Sequence, residues 1–594
     1  MNYDHIGQMI TIKIAEYGDN LALRYKLNNS WATLTYAEFG EQIRRLACGM
    51  IKSGVKKGDS VGIFSANRYE WAVTDFACIL VGATSVPIYA TNTKEQAQFI
   101  IQDAQIKLIF AGNNIQYQNL AAIRSEGIPL QVVNYETGLQ IDTSFTTPFS
   151  TFMNVEDQSE YISEMNHRSG QIKTDDVTTI IYTSGTTGNP KGVMLSHGNL
   201  FHQFEAVDAN FKVTSTDTSL CFLPLSHVYE RMWSYYVYLK GATHTYLEDP
   251  KKVIETMQEI KPTAMVSVPR LYEKIYASVM NSQENASGLK KVLFNRAIVV
   301  GTQYYNLSFR NQPTGLGLSV KHKFYDLLVL SKVRAAVGGK KNFFSAGGAP
   351  LEKTIEEFFL ACGLLICQGY GLTETSPMVS YNTPNNFKFG TVGKLVPNCE
   401  VRIADNGEIQ VKGPQVMQGY FNNQAATAEA IVDGWFKTGD IGEFDEDGYL
   451  KITDRIKDLI ITSGGKNIAP LNIETLVGKD FYIEQIIAIG DQRNFISALV
   501  VPAFESLEAW AHKKKIQFQN NEDLINHPHV IDFFRERIDH HSQKLAQYET
   551  IKKFKLLSKP FTMEAGEITP TLKLKRKQIN EKFKALIDSM YQKH

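Results

Sequence analysis

The sequence predicts an α/β protein: a large N-terminal domain of α/β subdomains with a β-rich subdomain, followed by a small α+β C-terminal domain. Three observations carry this expectation. The first part of the chain alternates β-branched strands with amphipathic helices, which implies parallel strands joined by crossover helices. Two later strands run straight into glycine-rich loops, the place where open α/β sheets hold ligands. The chain is 594 residues long, and a single hydrophobic core does not grow to that size.

The elements follow in order. Thr35-Tyr36-Ala37-Glu38 is a capping box, after which Phe39, Ile43, Leu46, Ala47 and Met50 recur at helical spacing. Gly54 suits the position just past that helix. Residues 60–64 read as a strand, 69–80 as a helix, and 84–88 and 107–111 as strands. The stretch 144–170 is mostly polar and is expected to be an irregular surface excursion. Residues 177–183 form a β-branched apolar run ending in Thr183, a buried strand. It breaks into Ser184-Gly185-Thr186-Thr187-Gly188-Asn189-Pro190-Lys191-Gly192. Glycines let a backbone pass close to a polyanion, hydroxyls add uncharged donors, and Lys191 supplies one cation. That composition suits a phosphate cradle better than a bare surface turn. It is not a Walker A loop, because Pro190 stands where the second glycine would fall.

Charge and cysteine content narrow the classes. Lys+Arg and Asp+Glu balance at 62 each, so no global field favours nucleic acid. Six cysteines are scattered without a CxxC spacing, which argues against a structural zinc site and fits a reducing cytoplasm. The first residues lack the basic and apolar regions of a signal peptide, and no apolar run is long enough to span a bilayer. A cytoplasmic location is expected.

Beyond the loop, Ser196 opens a helix. Cys221-Phe222-Leu223-Pro224-Leu225-Ser226-His227-Val228-Tyr229-Glu230-Arg231 follows, then Trp233, Tyr235, Tyr236, Tyr238 and Tyr246. Aromatics so spaced are more often core than ligand box. Residues 281–334 form an insertion with Lys290, Lys291, Arg296, Arg310, Lys321, Lys323, Lys332 and Arg334 among apolar residues. It reads as a solvated helical pair with snorkelling basic side chains; a basic amphipathic surface on anionic lipid is the alternative. Residues 342–350 read as strand, Gly347-Gly348 turn and helix start, with Pro350 in the first turn. A strand at 364–367 enters Gln368-Gly369-Tyr370-Gly371-Leu372-Thr373-Glu374, where Tyr370 offers a flat face and Glu374 a hard oxygen ligand for Mg²⁺. Asn406-Gly407, Asp433-Gly434 and Asp447-Gly448 signal hairpins. Trp435-Phe436-Lys437-Thr438-Gly439-Asp440, Asp454-Arg455-Ile456-Lys457-Asp458, a second glycine turn Ser463-Gly464-Gly465-Lys466 and a basic Pro570-Thr571-Leu572-Lys573-Leu574-Lys575 complete the set. Taken singly, Asp440 could be a turn-capping residue and Lys573 part of an ordinary basic helix.

In order along nearly the whole chain, these motifs resemble those of the adenylate-forming enzymes. Pro224–Arg231, Phe344–Leu351 and Ser463–Pro470 look like the long-chain acyl-CoA synthetase branch. The resemblance implies ATP-dependent activation of a fatty carboxylate through acyl-AMP to acyl-CoA, with ATP, Mg²⁺ and coenzyme A as cofactors. It implies residues 1–456 as the adenylation domain and 457–594 as a mobile domain turning about Lys457. By the same resemblance Thr183, Ser184, Gly185, Thr186, Thr187, Gly188 and Lys191 hold the phosphates, and Thr183 and Glu374 the metal. Gly347, Gly348, Gln368, Gly369, Tyr370, Gly371 and Thr373 line the adenine, Asp440 takes the ribose, and Arg455 reaches the nucleotide. His227 walls the carboxylate site, Gly464, Gly465 and Lys466 face the thiol donor, and Lys573 is the catalytic lysine. Leu572 replaces a glycine frequent in the family, which leaves Lys575 as the alternative. A carrier-protein ligase, a luciferase-like oxygenase and a non-catalytic lipid-binding descendant are the rival readings. Peripheral membrane contact and self-association are left open.

Overall fold

A computed structural model of the protein describes residues 3–28, 30–183, 190–339, 341–463, 466–563, 565–569 and 574–592. The expectations placed on Ser184, Gly185, Thr186, Thr187, Gly188, Gly464, Gly465 and Lys573 therefore lie outside the described residues.

The central element is an eight-stranded sheet ordered Gly419–Tyr420, Lys191–Ser196, Val177–Thr183, Thr84–Tyr89, Ser60–Ser65, Leu108–Ala111, Gln131–Asn134 and Thr146–Pro148. The six strands from Val177–Thr183 outward are parallel, as the strand–helix alternation implies. Lys191–Ser196 turns back antiparallel to Val177–Thr183, and Gly419–Tyr420 covers its free edge. The helix Tyr36–Lys52 starts on the Thr35 box, with both reciprocal bonds formed, and buries Phe39, Ile43, Leu46, Ala47 and Met50. Ser196 caps His197–Asp208 in the same way.

The stretch 144–170 is ordered, contrary to expectation. Thr146–Pro148 is the last strand of the sheet, and the helices Phe149–Phe152 and Ser159–Ser169 follow. Its composition is polar because only a few side chains, notably Phe149, Phe152 and Met165, reach the core. A second sheet carries Ala264–Met265, Phe343–Ala346, Ile366–Gly371, Met378–Tyr381 and Lys394–Leu395. Pro350 does not open the next helix, which begins at Lys353 behind a Glu352 cap. The β-rich part turns at the expected hairpins, with Gly407, Asp433, Gly434 and Gly448 all at positive φ. After residue 457 come a short hairpin, a three-stranded sheet and flanking helices.

The core between the helices and the main sheet is aromatic. Trp233, Tyr235, Tyr236, Tyr238 and Tyr246 are all buried, and Tyr238 stacks on Phe39 at 5.0 Å. Within it lies a buried ion pair. Arg231 Nε donates to Asp75 at 3.0 Å and to Tyr235 Oη at 2.8 Å, and Arg231 Nη1 donates to Thr179 Oγ1. The pair ties the helix Val228–Leu239 to the helix Tyr69–Leu80 and to the strand that leads into the glycine loop.

Candidate active site

The strand Ile366–Gly371 lies beside Met378–Tyr381 so closely that a Cβ on Gly371 would sit 1.7 Å from the Pro377 carbonyl oxygen. Only glycine allows that approach. The chain then turns through the short helix Thr373–Thr375 and presents Glu374. Tyr420 Oη donates to Glu374 Oε1 at 3.1 Å. The ammonium of Lys191 stands 4.9 Å from the centre of the same ring, within cation–π range. Sheet pairing produces this grouping: Lys191 is opposite Thr183, and Tyr420 is opposite Val193. Burial pushes the Glu374 carboxyl upward, while the Tyr420 hydroxyl and the charge of Arg455 oppose the rise. Lys191 and Glu374, far apart in sequence, are thus joined through Tyr420. Sequence reasoning missed Tyr420, because a lone Gly-Tyr in a turn-rich stretch shows neither its strand nor its partner.

A second cluster stands at the rim of the β-rich part. Asp440 and Arg455 are opposite each other on paired strands. Arg455 Nε donates to Asp440 Oδ1 at 2.7 Å, and Tyr370 Oη donates to Oδ2 at 2.8 Å. Each carboxylate oxygen keeps a second lone-pair direction, so Asp440 can still accept from a diol. Gly439, at φ +71°, makes the bend before it, and the Asp440 N–H donates to Thr438 Oγ1 at 3.1 Å. Arg455 and Asp440 both act through space on Glu374, so the two clusters share one field.

A third group comes from the segment that follows Cys221. His227 caps the helix Val228–Leu239, and its Nδ1 accepts from the Tyr229 N–H at 3.2 Å. That bond places the proton of the neutral ring on Nε2. The Tyr229 hydroxyl lies 2.6 Å from Ser345 Oγ, and a Cβ on Gly347 would meet the Tyr229 ring at 3.0 Å. Gln368 is buried and accepts from the Leu351 N–H at 2.9 Å, which fastens the turn carrying Gly347 and Gly348. Gly369 faces Ser380, and Thr373 is buried. Lys457 is exposed in the turn after Leu450–Arg455, and the Lys466 N–H donates to Thr462 Oγ1 at 3.1 Å.

Two other features are present. A cavity of about 820 Å³ opens at the amino ends of the sheet strands, lined by Lys56, Lys57, Gln105, Lys107 and His197. Cys221, Glu230 and His244 gather within 4.8 Å of one another, a cluster that sequence spacing could not reveal. Burial pushes the Cys221 thiol and the Glu230 carboxyl well above their ordinary values. The Leu223 N–H donates to Glu230 at 3.2 Å, which ties the helix Val228–Leu239 to the turn before His227.

The fold and these paired motifs define a nucleotide-dependent α/β enzyme with a separate small C-terminal domain. The family model of AMP-binding enzymes matches residues 11–421, and that of the AMP-binding enzyme C-terminal domain matches residues 457–594. The chain belongs to the AMP-binding enzyme family. It is 38% identical over 594 residues to the long-chain-fatty-acid–CoA ligase FadD15 of Mycobacterium bovis, covering 100% of this chain and 98% of that one. It is 34% identical to the peroxisomal long chain acyl-CoA synthetase 6 of Arabidopsis thaliana, over 94% of this chain and 81% of the relative. The adenylation domain of a Mycobacterium chelonae carboxylate reductase superposes with a TM-score of 0.75 at 18% identity, covering 100% of this chain and 92% of that one. The o-succinylbenzoate CoA synthetase of Bacillus subtilis gives 0.68 at 22% identity, covering 96% and 97%. The fold is the adenylate-forming enzyme fold, as the sequence predicts.

Proposed function

We propose that the protein activates long-chain fatty acids with ATP and transfers them to coenzyme A. The observation that carries this reading is the full-length relationship to long-chain-fatty-acid–CoA ligases. The fatty carboxylate attacks the α-phosphorus of ATP in line and pyrophosphate leaves, giving acyl-AMP. The thiol of coenzyme A, losing its proton, then attacks the acyl carbon and AMP leaves. Negative charge develops on phosphate oxygens, so the enzyme's task is positioning and electrostatic stabilisation.

In this reading Lys191 and the loop 184–188 hold the phosphates, Asp440 and Arg455 fix the ribose, and Tyr370, Gly347 and Gly348 border the base. Glu374 and Thr183 would hold Mg²⁺: the Glu374 carboxylate is a hard oxygen donor kept in place by Tyr420, the donor type this cation takes. When bound, that ion offsets charge on the phosphates. Lys573 enters from the domain 457–594 for the first step, and a turn about Lys457 withdraws it so that coenzyme A can enter. His227 and Tyr229 flank the carboxylate. No helix among the described residues is long and apolar enough to cross a membrane. A lipid-like substrate is nonetheless delivered from a bilayer, and the protein meets that bilayer peripherally.

The test is product analysis across a fatty-acid length series with and without coenzyme A. AMP, pyrophosphate and acyl-CoA are expected, rising with chain length into the long range. Release of ADP, or transfer that ignores coenzyme A, would overturn the reading.

A further inference from the structure

The insertion that sequence analysis singled out carries an unpartnered surface. Seventeen large apolar side chains are exposed among the described residues, and eight of them lie between residues 289 and 328: Leu289, Val292, Val299, Leu316, Val320, Phe324, Leu327 and Leu328. Scattered exposed apolar residues need no explanation, but a concentration of them does. Leu316, Val320, Phe324, Leu327 and Leu328 follow i, i+4, i+8, i+11 and i+12 along the helix Leu316–Tyr325 and the π-helical turn Asp326–Leu330. That spacing is one helical face. Leu316 is 89% exposed and Leu327 75%.

The inner side of the same segment is packed against the protein. His322 is buried and stacks on Tyr304 at 3.8 Å and 6°. Arg334 donates to Asp326 at 2.7 Å and to the Cys362 carbonyl at 2.8 Å. Gly301 of the neighbouring helix Gly288–Phe309 crosses so close to Lys353–Ala361 that a Cβ would lie 2.1 Å from the Ala361 oxygen. Lys353–Ala361 is the helix that follows the Gly347-Gly348 turn of the candidate site. Packed helices therefore connect the apolar face to the scaffold of the candidate site.

Charge selects the occupant. Of the eight basic residues in the insertion, Arg334 is buried in its ion pair and Arg310 stacks on Phe387 at 4.5 Å. The other six, Lys290, Lys291, Arg296, Lys321, Lys323 and Lys332, are exposed, and no ion pair joins any of them to a described carboxylate. Asp326 is the one acidic residue between 288 and 332. A second copy of the chain docking here would set cations against cations in an isologous contact. An anionic bilayer complements both the charge and the apolar stripe.

We propose that the face formed by Leu316, Val320, Phe324 and Leu327 inserts into the surface of an anionic membrane, with Lys321 and Lys323 beside it on the headgroups. This rests on the reading of the protein as a fatty-acid ligase only for its purpose, not for its geometry.

The experiment uses the full chain with phosphatidylcholine vesicles, with and without phosphatidylglycerol, at low and high salt. The wild type should co-sediment with the anionic vesicles only. Lys321→Gln with Lys323→Gln should weaken binding about fivefold per lysine at low salt. Leu316→Ser, Phe324→Ser and Leu327→Ser together should abolish the binding that survives high salt. Absence of wild-type binding to anionic vesicles, or wild-type binding by both variants, overturns the proposal. So does a dimer, seen by light scattering, that the serine variant splits while vesicle binding persists. Acyl-CoA formation from detergent-dispersed acid, measured on the same preparations, separates the two readings: its absence with vesicle binding intact would refute the ligase and leave the membrane face standing.

Discussion

At the scale of single residues, the candidate site depends on contacts that no motif displays. Glu374 stands in a recognisable Tyr-Gly-Leu-Thr-Glu segment, but the hydroxyl that orients its carboxylate comes from Tyr420, on a strand that pairs with the one after the glycine loop. If Glu374 holds Mg²⁺ as proposed, Glu374→Gln should lose several kcal/mol of transition-state stabilisation; acyl-AMP formation over a Mg²⁺ titration checks this, and a near-normal rate at low Mg²⁺ would mean Glu374 is only structural. Tyr420→Phe should cost less, about 1.5–3 kcal/mol, the range for a hydrogen bond to a charged group. Because the bond is present without ligand, the melting temperature should fall, and calorimetric titration with Mg²⁺ and ATP should show weaker binding. The residues legible in the sequence were those set in ordered motifs: Lys191, Tyr370, Asp440 and Arg455. Tyr420 was illegible because sheet register, not local composition, gives it its partners.

At the scale of elements, boundaries followed from local chemistry wherever caps and turns are local. The Thr35 and Ser196 boxes start helices where expected, and Asp433-Gly434 closes a hairpin with both residues at positive φ. The strand Thr146–Pro148 was missed because it is short and at a sheet edge, where little apolar periodicity is needed. The buried pair Asp75–Arg231 joins two helices to the strand before the glycine loop. Asp75→Ala would leave the guanidinium without its counter-charge in the core, so urea unfolding should show a loss of about 3–5 kcal/mol. Acid sensitivity has an equally local source. His197, at the start of its helix, accepts from the Ile6 N–H at 3.4 Å, and burial, with His5 beside it, lowers its pKa from 6.5 to about 3. Its depressed folded value means stability is complete above 6.5 and is lost as pH falls from there toward 3. Between about pH 7.5 and about pH 5.5 the loss from this one group is about 1.4 kcal/mol. Glu356, raised by burial to about 8, works in the opposite direction. Comparing His197→Gln with the wild type at both pH values isolates the histidine: the variant should lack that part of the acid-induced loss.

At the scale of the whole molecule, charged contacts join the part beyond Lys457 to the large domain. Glu484 receives Arg270 at its carbonyl and Lys274 at its carboxylate, 3.2 Å away, and Lys479 lies 3.5 Å from Glu352. The charged partners of Glu484 are partly exposed, and such pairs contribute about 1 kcal/mol or less each. Glu484→Gln should therefore change the ratio of the two half-reactions by no more than about fivefold. The proposed function has the domain turn between steps, so that a catalytic lysine and coenzyme A use one entrance in turn. Lys573 belongs to the part beyond Lys457, and its compact ammonium suits the α-phosphate and the attacking carboxylate. Lys573→Ala should slow acyl-AMP formation by orders of magnitude and leave the reaction of supplied acyl-AMP with coenzyme A nearly untouched. Lys457→Pro should do the reverse, because proline locks φ where the chain must pivot. The two half-reactions, run separately on both variants, decide the matter. Equal damage to both steps by Lys573→Ala would remove it as a swinging group, and the same selective pattern from Lys575→Ala instead would move the role two residues along the chain.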